Sequence, residues 1–418
     1  MRTSHRSSIY VRRESMSAVE KHQIIRLPID SIAVVARSAG GVRADVLAEL
    51  LENELAAALA RSRTLRVPRA EFVRPYAKSE MTPEEIGRAL NVRGVVLCTV
   101  ATSGACIDAS VDVIDVVREE LVAHDAFLVS SREVPALERA IFRAIPGHGR
   151  VPPPSKCPPL AQVIEARVAL ANGDAERALE ILGDSAPVET AATIIAGRLS
   201  ARIDEARQAL RAVPGCVRAL QLQAKLASRF DGDWRGAERA LREALEIDPG
   251  SPSTHAMLGD VLLAMRRRDE AAPHHRLVAE LMPVDASAQI AASFADYFGP
   301  CPIDAAPRLA ALPEANDWLV RALVAGGDVL GAQQAAATPF GRALLAAFTG
   351  DDFSIASFTA CERALLFSAA GAAEQAIACL ESAADVHADE VIFAAVEPLF
   401  APLAGEARFL ALLSRLGL

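Results

Sequence analysis

The residues best suited to chemistry in this 418-residue chain are two adjacent histidines, two cysteines, three aspartates and a double glycine. His274-His275, with Glu280 close behind, offers the imidazole and carboxylate groups that transition metals bind. Neighbouring positions on a helix point about 100° apart, however, and neither HExxH nor HxxxH spacing is present. One histidine is expected inside a helix pair and the other toward water, with no metal between them. Cys98 and Cys106 flank a turn, so they are candidates for cross-strand neighbours, although a buried cysteine acting as a small apolar group is the commoner arrangement. Asp108, Asp112 and Asp115 are expected to line the polar side of a strand as a solvated face. Gly40-Gly41 stands between an apolar run and a helical pattern, which is the setting of a phosphate cradle. Neither GxxxxGK[ST] nor GxGxxG occurs, and no lysine follows, so a plain connecting loop is expected. There is no GxSxG and no Cys–His grouping with a recognisable context. These residues predict no catalytic constellation, no cofactor and no metal.

The elements that would position them follow from composition and pattern. Half of the residues are apolar but only 5% are aromatic, so core volume must come from Ala, Leu, Val and Ile. Small side chains let helices approach closely. No run reaches the roughly 18 apolar residues of a membrane helix, and no apolar segment follows the basic residues at the start, so no secretory signal is expected. Seven scattered cysteines without CxxC spacing suit free thiols and a cytoplasmic location. A net charge of −9 argues against nucleic acid as the partner of the whole chain.

Residues 1–29 carry a local balance of +4 and no apolar period, so they read as a disordered basic arm, the only segment suited to nucleic acid or a membrane surface. Met16 is an alternative start. Residues 30–145 predict a compact α/β sandwich in the order β-α-β-α-β-β-β-α. Its strands are expected at residues 32–36, 64–67, 95–101, 106–115 and 121–129. A helix begins near Val42, with Val46, Leu47, Leu50, Leu51, Leu55, Ala58 and Leu59 on one face. Thr82-Pro83-Glu84-Glu85 is a helix start, and residues 133–145 predict a closing helix. Prolines recur from Pro146 to Pro159, including Pro152-Pro153-Pro154, and mark a semi-rigid linker. From Leu160 onward only helical patterning is found. It is cut by the turns Asn172-Gly173-Asp174, Asp231-Gly232-Asp233, Gly326-Gly327-Asp328 and Ala370-Gly371-Ala372.

Two stretches of that region superpose at a shift of 34 residues: Ala237, Leu241, Ala244 and Pro249 fall on Ala271, His275, Val278 and Pro283. Such a period marks helical hairpins that bury their apolar faces only by stacking. Leu258, Gly259, Leu262, Ala271, Val278 and Pro283 resemble one tetratricopeptide repeat. Ala224, Ala237, Leu241, Ala244 and Pro249 resemble the one before it. Ala206, Leu210, Val213 and Pro214 suit a shorter unit, and Ala364, Gly371, Ala376, Leu380 and Ala383 a late one. His255 and His275 depart from the pattern, standing where aromatic and bulky apolar residues are usual. The register between 284 and 350 follows the pattern only in outline.

Residues 85–97, EIGRALNVRGVVL, with the run from Ile32 and the Leu65-Arg66-Val67 segment, are similar to the TolB-N-like (FlgO-related) domain that precedes such repeats in bacterial proteins. Val396-Glu397-Pro398-Leu399-Phe400 and Ala407-Arg408-Phe409 match how those proteins end. The resemblance implies an α+β chain with an all-α repeat domain over 160–418, acting in signalling or transcription control. Family members often carry a DNA-binding, cyclase or kinase effector in front; the 29 residues here are too few to hold one, so such an activity is not expected. The reading is a non-enzymatic scaffold that binds a peptide or protein partner in a solenoid groove. Leu222, Leu226, Arg229, Asp260 and Leu263 are its expected lining: Arg229 for a carboxylate, the leucines as floor. The alternative is a small-molecule sensor that binds ligand at the Gly40-Gly41 edge of the α/β domain and relays to the solenoid.

Overall fold

The apolar run at Ile32 and the alternating run at Cys106 belong to one sheet in the computed structural model. It describes residues 29–60, 65–104, 106–130, 160–183 and 186–418, with the backbone of Tyr10 and Val11. The chain forms two compact units, Met1–Thr193 and Ile194–Leu418. The architecture is α+β: a small sheet with packed helices, then an all-helical part.

In the first unit the strands are β1 Tyr10–Val11, β2 Ile32–Ser38, β3 Gly94–Ser103, β4 Cys106–Asp115 and β5 Glu120–Ser130, in the order β1-β5-β4-β3-β2. Only β2 and β3 run parallel, with Ala33 opposite Val95. The alternation in β4 works as its pattern requires. Ile107, Ala109, Val111 and Val113 face the helix Val42–Ala60, burying Leu47, Leu51, Leu55 and Leu59 with Val34, Val96 and Phe127. The opposite face of β2 and β3 is covered by the helices Ala70–Ala77 and Pro83–Ala89, through Val73, Tyr76 and Ile86. The second of these starts on a full capping box: Thr82 Oγ1 accepts from Glu85 N at 3.3 Å and the Glu85 carboxylate accepts from Thr82 N at 2.8 Å.

Two expectations need correction. The strand expected at 64–67 is not formed over its described residues, 65–67; Arg66 makes a single parallel bridge with Ser31, and Pro68 stops it there. The helix Ala70–Ala77, with Pro75 inside it, was not anticipated. The expected closing helix at 133–145 and the linker at 146–159 lie outside the described residues, as does the arm except for Tyr10 and Val11. The helical hairpin at Leu160–Ala171 and Ala175–Leu182 belongs to the first unit. Val163 and Ile164 join the sheet core, and Arg167 pairs with Glu49 at 3.5 Å. The division between units therefore falls about one hairpin later than the proline-rich segment.

Among the described residues, no strand occurs in the second unit. Its helices come in antiparallel pairs: Val217–Arg229 with Trp234–Ile247, Pro252–Ala264 with Arg268–Leu281, Asn316–Ala325 with Val329–Ala335, and Ala360–Ala369 with Ala373–Asp385. Two of the turns show why the Gly-Asp dipeptide recurs. Gly232 and Gly327 sit at φ +63° and +77°, where a side chain would be strained. Asp233 and Asp328 then cap the next helix, accepting from Gly236 N at 2.8 Å and Gly331 N at 2.9 Å. The small residues at the 34-residue period are core: Ala237, Leu241, Ala244, Leu258, Leu262 and Ala271 are fully buried. Between Asp285 and Asn316 the pairing breaks into short helical pieces, with Pro302, Pro307 and Pro313 each in the first turn of one.

Candidate functional site

The first two complete hairpins carry both departures from the repeat pattern. His275 is buried and its ring lies against Gly259, so that a methyl group added at Gly259 would overlap it. Its Nε2 is 3.1 Å from Asp260 Oδ1, and its edge meets Phe294. His255 is buried one turn before Gly259. Its Nε2 is 3.0 Å from the carbonyl of Pro249, which can only accept, so this nitrogen carries the proton. Its Nδ1 is then a lone pair, and the His274 Nδ1–H donates to it at 2.9 Å, with the rings stacked at 5.1 Å. The expectation of one inner and one water-facing histidine is met only in part: His275 is inside, but His274 is half-buried and spoken for. The His274 pKa is lowered by burial first, then by His255, Arg242 and His275, against Glu270. Among the described residues, no cluster of three or more His, Cys, Asp or Glu could hold a metal.

The five residues expected to line a groove are placed as follows. Leu222, Leu226 and Leu263 are 8%, 3% and 1% exposed. They fill the contact between neighbouring helices and so form no apolar floor for a partner, because stacked hairpins bury the very positions that the pattern marks as apolar. Asp260 is committed to His275. Arg229 is paired with Asp389, from a segment 160 residues further along the chain. Beside Leu263 a cavity of about 520 Å³ opens, lined by the 266–270 turn, Phe298, Gly299, Pro300 and Val396.

Around Arg229 the repeats are covered by residues 387–393. His387 stacks on Phe230 with ring centroids 4.2 Å apart. Its Nδ1–H donates to the Arg229 carbonyl at 2.9 Å, and its Nε2 is 3.2 Å from Ser200 Oγ. Ile392 and Phe393 lie against the core of the first two hairpins, with Phe393 stacked 5.1 Å from Phe298. Further along, Glu397 accepts from Tyr297 Oη and pairs with Arg321, whose guanidinium lies 3.9 Å from the Trp318 ring centre. Burial opposes the Arg321 charge, but Glu397 outweighs it and the guanidinium stays protonated. Burial raises the Tyr297 hydroxyl well above its ordinary pKa. No sequence period relates these partners.

One cation on this face lacks a partner. Lys225 is half-buried and its ammonium makes no hydrogen bond or ion pair among the described residues. Burial lowers its pKa first, then Arg229 and Arg218; Asp389 acts the other way.

In the first unit, Gly40 and Gly41 adopt φ +115° and +90° in an exposed loop, where Gly40 N donates to Ser38 Oγ at 3.0 Å. Cys98 faces Val111 across the sheet and Cys106 faces Ser103, so the two cysteines are not cross-strand neighbours. Burial pushes the Cys98 thiol up to about 12. Asp115 is buried and accepts from Val117 N and Arg118 N, while Asp112 meets His124; the three aspartates do not converge. Sequence reasoning missed Glu52, which is 1% exposed on the inner face of the Val42–Ala60 helix. Burial raises its carboxyl to about 7 although Arg74 opposes this, and its Oε1 has no hydrogen-bond partner. The signal was available: Glu52 stands four residues after Ala48 and three before Leu55, inside the apolar stripe.

No helix among the described residues is long and apolar enough to cross a membrane. A search of curated proteins gave no match. Residues 231–289, which cover the second helix of one hairpin and all of the next, match the tetratricopeptide repeat family. The chain thus contains tetratricopeptide repeats, a module that is typically non-catalytic and generally mediates protein–protein interaction.

Proposed function

We propose that this protein is a non-enzymatic interaction scaffold whose repeats hold a peptide or protein partner. The tandem hairpins at 217–281 and their family match carry the reading, because such modules serve to present a surface. With the leucines withdrawn into the core, the contact groups for a partner are the cationic edge at Lys225 and Arg229. The resemblance of residues 30–145 to the TolB-N-like domain adds a bacterial signalling or transcription-control setting. The mixed sheet of four long strands, with helices on both faces, is compatible with it.

The test is affinity capture with the full chain and with an Arg229→Glu variant, read by mass spectrometry. A protein recovered with the native chain and depleted with the variant is the expected result. Nucleotide turnover by the purified chain, or no protein above background, would refute the scaffold reading.

A further inference from the structure

We propose that the repeat face around Lys225 and Arg229 docks a short helical acidic segment with an aromatic residue four positions after its carboxylate, and that the chain's own residues 387–393, helical over Asp389–Phe393, cover this face until such a segment displaces them. The inference rests on the scaffold reading only for the existence of an incoming partner. What seats the covering segment is visible. Asp389 pairs with Arg229, His387 stacks on Phe230, and Phe393, four residues after the carboxylate, lies on Phe298. This is a charge contact followed by an aromatic anchor, the composition of a bound peptide.

Two features make the cover removable. The Asp389 side chain is 56% exposed, so its ion pair is a rim contact of small strength. The cover also neutralises the face incompletely. Asp389 answers Arg229, while Lys225, crowded by Arg229 and Arg218, has no partner among the described residues. An incoming segment with two carboxylates would satisfy both cations, and charge-assisted hydrogen bonds are the stronger kind. That surplus sets the direction of exchange: a singly acidic segment matches the cover, and a doubly acidic one exceeds it.

The test uses the full chain and a fluorescein-labelled peptide spanning residues 386–399, which itself carries Asp389, Glu390 and Phe393. The double variant His387→Ala, Asp389→Ala opens the face. It is expected to bind the peptide at least about tenfold more tightly than the native chain, since it loses one ion pair and one ring contact that compete in cis. Adding Lys225→Ala or Arg229→Ala should remove the gain. A folded double variant, with native helical circular dichroism, that binds no better than the native chain overturns the proposal. If the double variant does not fold, hydrogen exchange on the native chain decides. Amides at 387–393 exchanging before those of the helices at 217–281 supports a displaceable cover; exchange only with global unfolding overturns it. The two readings fail separately. Peptide binding without a captured cellular partner sinks the scaffold reading alone. A partner captured equally by the native chain and by Lys225→Ala sinks this inference alone.

Discussion

Acid should loosen the first two hairpins through the contact between His255 and His274. The Pro249 carbonyl fixes a proton on His255 Nε2, and the two Nδ1 atoms lie 2.9 Å apart. One proton between those atoms makes a hydrogen bond; two would set N–H against N–H. A charge on His274 is disfavoured by burial first, then by His255, Arg242 and His275, with Glu270 acting the other way. Arg267 and Glu238 form a separate ion pair nearby. The unfolded chain protonates His274 near the ordinary value of about 6.5. Because the unfolded state binds more protons, stability is complete above that value and falls as pH drops below it. At about pH 5, a proton wholly withheld from His274 sets the upper limit at about 2 kcal/mol, or a melting temperature lower by about 4–8 °C for a unit of this size. The assay is urea or thermal unfolding between pH 7.5 and 5, comparing the native chain with His274→Gln, whose amide still donates to His255 but does not titrate. The native chain should lose more stability than the variant over that range, by at most about 2 kcal/mol. Equal losses in the two proteins would refute the argument.

Three further outcomes follow from packing and burial. Glu52→Gln should stabilise the first unit by up to about 3 kcal/mol at pH 8 and leave it nearly unchanged at pH 4.5, because the folded carboxyl titrates at about 7 and the native chain must bury a charge above that; denaturant unfolding at the two pH values measures this. Gly259→Ala should cost about 1–3 kcal/mol through its overlap with the buried His275 ring, whereas a neutral or stabilising result would mean that helix propensity outweighs the clash. Glu397→Ala leaves the Arg321 guanidinium buried and unpaired, and about 3–5 kcal/mol of destabilisation is expected in calorimetry; Glu397→Gln should cost less, since it retains an acceptor for Tyr297.

The parts of the fold that were legible in the sequence are those fixed by local pattern. The alternation after Cys106 placed a half-buried strand, Thr82 to Glu85 placed a capped helix, and the Gly-Asp turns with the 34-residue shift placed the hairpins. The misses have local causes too. Leu65-Arg66-Val67 has strand-forming residues but is cut by Pro68 after one bridge. The helix at Ala70–Ala77 was hidden by Pro75, which a helix of eight residues tolerates because its ladder is so short. The candidate site was far less legible. The apolar residues picked as a groove were those most needed between hairpins, so pattern alone cannot separate a floor from a core. The cover over Arg229 joins residues 158 apart in the chain, and no periodicity encodes that distance. What did show in the sequence was the misfit: His255 and His275 broke the repeat pattern, and both turned out to be hydrogen-bonded inside it.

The two buried titrations run in opposite senses, and this gives a test that needs no substitution. Glu52, in the unit Met1–Thr193, is raised to about 7, so that unit is most stable below the ordinary carboxylate range and weakens as pH rises through neutrality. His274, in the unit Ile194–Leu418, is lowered by burial, so that unit is most stable above about 6.5 and weakens on acidification. Between about pH 5 and pH 8 the stability difference between the units should therefore change by about 3 kcal/mol from Glu52 and by at most about 2 kcal/mol more from His274, always in favour of the repeats as pH rises. Scanning calorimetry of the full chain should show the repeat transition moving upward and the α/β transition downward across that range. Parallel movement of both transitions would mean that one of the two groups takes its ordinary protonation state in the fold, against the orphaned Oε1 of Glu52 or the burial of His274.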